Sequence, residues 1–179
     1  PDLNLNAAFA FSGALRVLER SPVAESAHLE TLAAACRKLT PMVSLEPPAS
    51  VLLDVRASLK LFGGLANLKR TLTEELEGRG YALQTAVAPT PLGALWLARH
   101  RAADALTGAA LRGALKALPL EVTRWPASVR AALTERGIAT LGECLRLPRG
   151  GFARRIGKAR LDDLDRALGK RPDPRRRFD

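Results

Sequence analysis

The residues of this chain with the clearest chemical potential are the arginines and lysines of its C-terminal third. Residues 119–179 contain 15 Lys and Arg against 8 Asp and Glu, a net charge of +7 out of +10 for all 179 residues. Closely spaced cationic side chains bind phosphates, and a sequence pI near 10.7 is typical of nucleic-acid-binding domains. We therefore expect this third of the chain to contact nucleic acid, with a solvated arginine-rich surface as the alternative.

Residue types that usually catalyse reactions or hold metals are sparse and scattered. His28 and His100 stand alone in the sequence, which favours surface or helix-end positions. Cys36 and Cys144 lie far apart within apolar-periodic segments, so we interpret them as small buried side chains in a reducing cytoplasm. No zinc site or disulfide framework follows from them, and we expect neither a metal nor a cofactor.

The run from Ser50 to Arg56 gives the clearest strand signal, and a turn at Gly63 and Gly64 follows it. Its leucines and valines point to both faces of the strand by simple alternation. Both faces must then be covered, which predicts a position in the middle of a sheet with helices packed over it. Asp54, near the end of this run, is interpreted as a structural acid.

The segments around this strand alternate between helical and extended patterns, which predicts an α+β or α/β layer. Ser21 before Pro22 is a favourable helix start, since the hydroxyl can cap and proline suits the first helical position. The helices are predicted over 22–38, 65–77 and 92–100, and the strands over 42–45, 50–56 and 81–88. The first two strands are expected to form an antiparallel pair.

From residue 118 the pattern is wholly helical, with short helices separated by tight turns. Thr140 and Glu143 have the spacing of a capping box. The final RPDPRRRFD, with two prolines and an arginine triplet, is typical of a linker. We therefore predict an α+β unit over 1–117, a helical unit over 118–171 and a linker over 172–179.

The chain has no apolar run of 18 residues, which argues against a membrane span. It starts with PDLNLNAAF, which has neither an initiator Met nor the pattern of a signal peptide. We interpret it as a piece of a longer protein.

Several motifs, in order and at matching spacings, are similar to motifs of Y-family DNA polymerases. CRKLTPMVSLEPPASVLLDVRASLKLFGG resembles the palm, TAVAPTPLGALWLAR the helix after it, and LPLEVTRWPASVRAALTERGIATLGECLRLP the thumb. Within the family the pattern is similar to the ImuB-type group, non-catalytic homologues of bacterial damage-induced mutagenesis. The resemblance implies an α+β fold with an incomplete palm that lacks its N-terminal strand, an all-helical thumb, and a linker toward an absent little-finger domain.

The family's catalytic residues are missing where this resemblance places them. Its Asp-Glu pair aligns with Ala49 and Ser50, which offer no carboxylate to the two metal ions of nucleotide transfer. Lysines that help to hold the triphosphate align with Pro91 and Leu95. The resemblance therefore implies a degenerate active site and a chain that is not an enzyme.

The thumb motif departs from the family as well. The family's Gly-Ile-Gly turn brings backbone N–H groups to a DNA phosphate, but this chain has Trp125 and Pro126 there, and proline donates no N–H. We expect side chains to make the phosphate contacts instead. The predicted DNA-binding residues are Arg124, Ser128, Arg130, Arg154, Arg155, Lys158 and Arg160.

The resemblance implies a DNA-binding, non-catalytic scaffold in damage-induced mutagenesis and translesion DNA synthesis, in the bacterial cytoplasm at the nucleoid. The implied partners are DNA, the sliding clamp, an error-prone C-family polymerase and a RecA-like accessory protein. Two alternatives stay open. The first is an active Y-family translesion polymerase, and the second is a generic basic nucleic-acid-binding protein without polymerase ancestry.

Overall fold

The structure is a computed structural model that describes residues 5–11 and 15–179. The predicted unit 1–117 therefore includes residues 1–4 and 12–14, which lie outside the described residues. The elements of the N-terminal part are α1 (Leu5–Phe11), α2 (Pro22–Cys36), β1 (Val43–Glu46), β2 (Ser50–Leu53), α3 (Leu65–Glu77) and α4 (Pro91–Arg99). The C-terminal part contains α5 (Gly108–Ala117), a 3-10 helix (Leu120–Thr123), α6 (Ala127–Thr134), α7 (Leu141–Arg146), α8 (Arg149–Arg155) and α9 (Lys158–Ala167).

Local signals in the sequence define most helix ends correctly. The Ser21 hydroxyl accepts the N–H of Ala24 at 3.3 Å, so the predicted cap of α2 is confirmed. The capping box of α7 is confirmed too, with Thr140 and Glu143 each accepting from the other's backbone N–H. Helix α8 begins at Arg149, directly after Pro148.

The first two predicted strands form an antiparallel pair, as expected, with Val43 opposite Leu53 and Glu46 opposite Ser50. The placement of β2 in the middle of a sheet is wrong. In the part of the chain that the structure describes, the sheet consists of β1 and β2 alone, so each of them is an edge. The residues of β2 are consequently half-buried rather than enclosed.

The predicted third strand over 81–88 is also wrong. This segment has no regular secondary structure and pairs with neither strand. Its backbone bonds instead to a neighbouring loop, where Val87 O accepts from Ala105 N at 2.8 Å and Val87 N donates to Asp104 Oδ1 at 2.9 Å. Alternating apolar residues gave the strand signal, whereas pairing requires a partner strand beside it.

A wide opening, which we call the central cleft, is lined by β2 and by segment 81–88. Its volume is about 1020 Å³, and its walls are mainly apolar side chains of the hairpin, α2, α3 and α4. The cleft explains why the β2 leucines remain partly accessible despite their hydrophobicity. Charged residues also line it, among them Arg99, Arg124 and Arg175.

Two apolar clusters form the core among the described residues. The smaller joins α2, β1 and α3 around Cys36, Val43 and Leu76. The larger joins α4 and α5 to the helices that follow, and it includes Trp96 and Trp125, whose rings meet edge-on at 6.5 Å. This second cluster therefore contains residues from both sides of the boundary predicted after residue 117. The predicted domain boundaries stay predictions.

The segment predicted as a linker folds back on the N-terminal part of the chain. Phe178 N donates to Val43 O at 2.8 Å, and Arg175 forms an ion pair with Glu46 at 2.6 Å. Asp173 accepts from Leu92 N at 3.0 Å, in the first turn of α4. These contacts join residues more than 80 positions apart, so local composition could not reveal them. No helix in the described ranges is long and apolar enough to cross a bilayer.

Candidate nucleic-acid interface

The positions aligned with the family's catalytic carboxylates lie at the hairpin and line the central cleft. Ala49 is exposed in the turn, and Ser50 begins β2 and is half-buried. Asp54 lies beyond the strand, where its Oδ1 accepts from Arg56 N at 3.1 Å, an arrangement that stabilises a turn. Across the described ranges, no three His, Cys, Asp or Glu side chains come close enough to hold a metal ion.

The positions aligned with the phosphate-binding lysines are used for folding α4 against α9. Thr90 caps α4 by accepting from Gly93 N at 3.2 Å, and its hydroxyl donates to Ala167 O at 2.7 Å. Pro91 is the first residue of the helix, where a missing N–H costs nothing. Leu95 is 5% exposed. A lysine at position 95 would therefore have to bury its charge or displace its neighbours.

The entrance to the helical C-terminal part presents the first group of predicted DNA-binding residues. Arg124 ends the 3-10 helix in a left-handed conformation, with φ of 55°, and its exposed side chain has no partner among the described residues. Ser128 is exposed in the first turn of α6, and Arg130, two residues later, is half-buried. Trp125 between them is a core residue, whose indole N–H donates to Asp163 at 3.0 Å.

The second group surrounds the turn between α8 and α9, which we call the α8–α9 turn (residues 154–158). Arg154, Arg155 and Lys158 are exposed, and none has an acidic partner among the described residues. Gly157 forms the bend with φ of 108°, a conformation that a side chain disfavours. Because Gly157 has no side chain that could cap α9, the first backbone N–H groups of that helix lack a side-chain acceptor beside these three cations.

Neighbouring arginines differ in that their charge is neutralised. Three aspartates of α9 each form an ion pair with one arginine. Among them, the side chain of Asp165 is only 12% exposed. The hydrogen bonds from Arg149 lower the pKa of Asp165, so this carboxyl is ionised at neutral pH. The pairs are Arg149 with Asp165 at 2.6 Å, Arg166 with Asp163 at 3.1 Å, and Arg171 with Asp162 at 2.6 Å. Uncompensated positive charge is thereby concentrated at the α8–α9 turn.

The structure does not bring all the predicted residues to one place. Arg160 is half-buried on α9, and its Nε is shielded from solvent without a hydrogen-bond partner, unlike the accessible groups at the turn. Two arginines that sequence reasoning missed lie on the rim of the central cleft together with Arg124, namely Arg99 and Arg175. Their neighbours come from distant parts of the chain, so no sequence pattern marks them.

Comparison with known proteins places the sequence near one bacterial protein. The chain is 32% identical over 153 residues to protein ImuB of Caulobacter vibrioides, in each of two strains. The match covers 84% of this chain but 33% of ImuB, so the chain spans about a third of the length of these relatives. No protein-family model matches the chain.

Solved structures of DNA polymerases share its fold. The crystal structure of DinB from Sulfolobus solfataricus superposes with a TM-score of 0.73 at 20% identity, over 97% of this chain and 53% of DinB. A ternary complex of Dbh gives 0.73 at 20% identity, over 98% of this chain and 54% of Dbh. A Y-family DNA polymerase chimera built on Dbh gives 0.74 at 20% identity, over 98% and 53% of the two chains.

Proposed function

Because this chain is a relative of ImuB with the palm-and-thumb fold of Y-family DNA polymerases, we propose that it is part of a non-catalytic polymerase homologue that binds DNA. In this function the protein serves as a scaffold for translesion synthesis during damage-induced mutagenesis. The palm corresponds to the α+β part and the thumb to the helical part that follows it. Since the chain spans about a third of ImuB, the function of the whole protein is included in the proposal.

The absence of catalysis is supported by the residues on the hairpin. Transfer of a nucleotide requires carboxylates that hold two metal ions and neutralise charge on the phosphates. Ala49 and Ser50 supply neither at the aligned positions, and Leu95 is buried where a phosphate-binding lysine is expected. The metal-binding carboxylates and the phosphate-binding lysines are thus missing from two separate segments of the sequence.

DNA binding is supported by one observation above all, the unpaired cations of the α8–α9 turn. Arg154, Arg155 and Lys158 are exposed beside backbone N–H groups that lack a side-chain acceptor, whereas nearby arginines are neutralised by aspartates. Such a surface binds phosphates without reading base sequence, which suits a protein that follows any primer-template. Arg124, Ser128 and Arg130 extend the proposed interface toward the palm.

The proposal includes a cellular setting that follows from the relationship to ImuB. The partners are the sliding clamp, an error-prone C-family polymerase that performs the synthesis, and a RecA-like accessory protein. The location is the bacterial cytoplasm, at the nucleoid. Contacts with these proteins need not involve the present chain.

A primer-extension assay on the full-length parent protein tests the catalytic part of the proposal. With Mg²⁺ or Mn²⁺ and all four nucleotides, we expect no extension, while fluorescence anisotropy still detects binding to the same primer-template. The double variant Ala49→Asp with Ser50→Glu should also be inactive, because the triphosphate still lacks its lysines. Metal-dependent extension by the unmodified protein would identify it as an active polymerase instead.

A further inference from the structure

Three arginines from separate parts of the chain meet on the rim of the central cleft. Arg99 is at the end of α4, Arg124 follows the 3-10 helix, and Arg175 belongs to the returning C-terminal segment. All three line the cleft that Ser50 also lines. Arg99 Nη1 donates to Val122 O at 2.8 Å, which fixes its guanidinium close to the segment that carries Arg124.

Both carboxylates near these arginines, those of Glu46 and Asp173, form ion pairs with the same arginine. Arg175 bonds to Glu46 at 2.6 Å and to Asp173 at 2.7 Å. Arg99 and Arg124 therefore have no ion-pair partner among the described residues. Burial and the charge of Arg124, followed by that of Arg175, lower the pKa of the Arg99 guanidinium to about 10 against the attraction of Glu46. The group is still charged at neutral pH, and the three arginines exceed the two carboxylates, Glu46 and Asp173, by one positive charge.

Hydrogen-bond donors at this rim are also left without acceptors. Nε of Arg99 and Nε of Arg175 are shielded from solvent and have no hydrogen-bond partner within the described ranges. Unsatisfied buried donors are uncommon in folded proteins and cost free energy, so their presence at one place indicates a missing acceptor. An anionic acceptor would offset the excess positive charge of this cluster, and several oxygens would let it bond more than one guanidinium.

We propose that Arg99 and Arg124 bind a phosphate group at the junction of palm, thumb and C-terminal segment. Arg175 is a positioning residue, because Glu46 and Asp173 already hold its guanidinium. The phosphate comes either from a DNA backbone or from a free nucleotide, and both present the same oxygens. The DNA source rests on the proposed DNA-binding function, whereas phosphate binding itself does not.

The test uses the side chains that can be changed with least disturbance of the fold. Arg124→Gln removes an exposed charge that has no partner, and Arg99→Lys keeps the charge but loses the planar fork. Arg112→Gln is the matched control, because Arg112 is exposed on α5 and also lacks a partner in the described part of the chain. Far-UV circular dichroism and thermal midpoints establish that the variants fold.

Fluorescence anisotropy with a primer-template duplex tests whether the phosphate comes from a DNA backbone. Loss of one phosphate contact should weaken binding by Arg124→Gln about eightfold at about 0.1 M salt and reduce the salt slope by about 0.9. Arg99→Lys should weaken binding as well, and Arg112→Gln should leave both quantities unchanged. If both test variants match Arg112→Gln while charge removal at the α8–α9 turn abolishes binding, DNA binding stands and the site proposed here is refuted.

Titration with a deoxynucleoside triphosphate and with inorganic tripolyphosphate forms the second arm. Stabilisation of the unmodified chain by either ligand, lost in Arg124→Gln and retained in Arg112→Gln, would support the site with a free nucleotide as its source. That result would support the site even if the chain binds no DNA. If neither DNA nor the free phosphates distinguish the two variants, the site does not exist.

Discussion

Neutralising the α8–α9 turn gives the sharpest test of how this chain holds DNA. The perturbation is the triple variant Arg154→Gln, Arg155→Gln and Lys158→Gln, in which three exposed side chains lose charge without losing a partner. Because each phosphate neutralised on duplex DNA contributes about 0.9 to the slope of log affinity against log salt, the slope should fall by about 2.7. At about 0.1 M salt this loss corresponds to an affinity about 500-fold lower.

The salt dependence of binding, measured for the unmodified chain and for the triple variant, gives a second estimate of the number of phosphate contacts. If these three cations and Arg124 make four contacts, the unmodified chain should lose about 150-fold in affinity between about 50 and about 200 mM salt. The triple variant keeps one contact and should lose only about 3.5-fold over the same range. Anisotropy titrations with a labelled duplex at five or six salt concentrations measure both slopes.

The control removes the same number of positive charges at positions outside the α8–α9 turn. Arg37 and Arg112 are exposed without a partner among the described residues, and Arg20 is exposed in an ion pair with Glu25. Their triple substitution by Gln should leave the slope unchanged. Counterion release depends on the charges that touch the backbone and not on the net charge. Equal losses in the two triple variants would refute the assignment of the turn as the interface.

Three further predictions concern the packing that supports this interface. Gly142→Ala should destabilise the chain by about 1–3 kcal/mol in urea denaturation, because the new Cβ would lie 2.6 Å from the carbonyl oxygen of Lys116. Thr90→Ala should cost about 1–2 kcal/mol, since it removes both the α4 cap and the hydrogen bond to Ala167, whereas Thr90→Ser should retain most of the stability. Asp165→Asn should destabilise the chain at neutral pH, and because the folded-state pKa of this carboxyl lies below its ordinary 3.8, the difference from the unmodified chain should close as the pH falls below about 4. A stability difference that stays constant down to pH 2 would show that the ion pair contributes nothing.

The features that could be predicted from the sequence are those that depend on near neighbours. The Ser21 cap and the Thr140–Glu143 capping box involve residues three positions apart, and the β1–β2 hairpin joins adjacent segments. Their free energies come from contacts that short patterns specify. For this reason the helical and hairpin elements were predicted close to their observed bounds.

The features that could not be predicted depend on partners far away in the chain. Segment 81–88 has the alternation of a strand, but whether it joins a sheet is decided by what lies beside it. The arginine triplet looked like part of a solvated linker, yet Arg175 pairs with Glu46, 129 positions earlier. Arg99 was not predicted for the same reason, because its role in the proposed phosphate site depends on its proximity to Arg124 and Arg175. The α8–α9 turn was predicted as basic, but only the structure distinguishes its unpaired cations from the neutralised ones.

The return of residues 171–179 to β1 has a mechanical consequence. The helices that follow α5 lead away from the N-terminal part, and the chain comes back to β1 at Phe178, so this helical part is a loop closed at both ends on the same body. Tension applied to the C-terminal end reaches the Phe178–Val43 hydrogen bond and the Arg175–Glu46 pair before it can load α9. In a single-molecule pulling measurement these contacts should therefore rupture first and give an early, small extension. The helices of the C-terminal part should unravel only after that event.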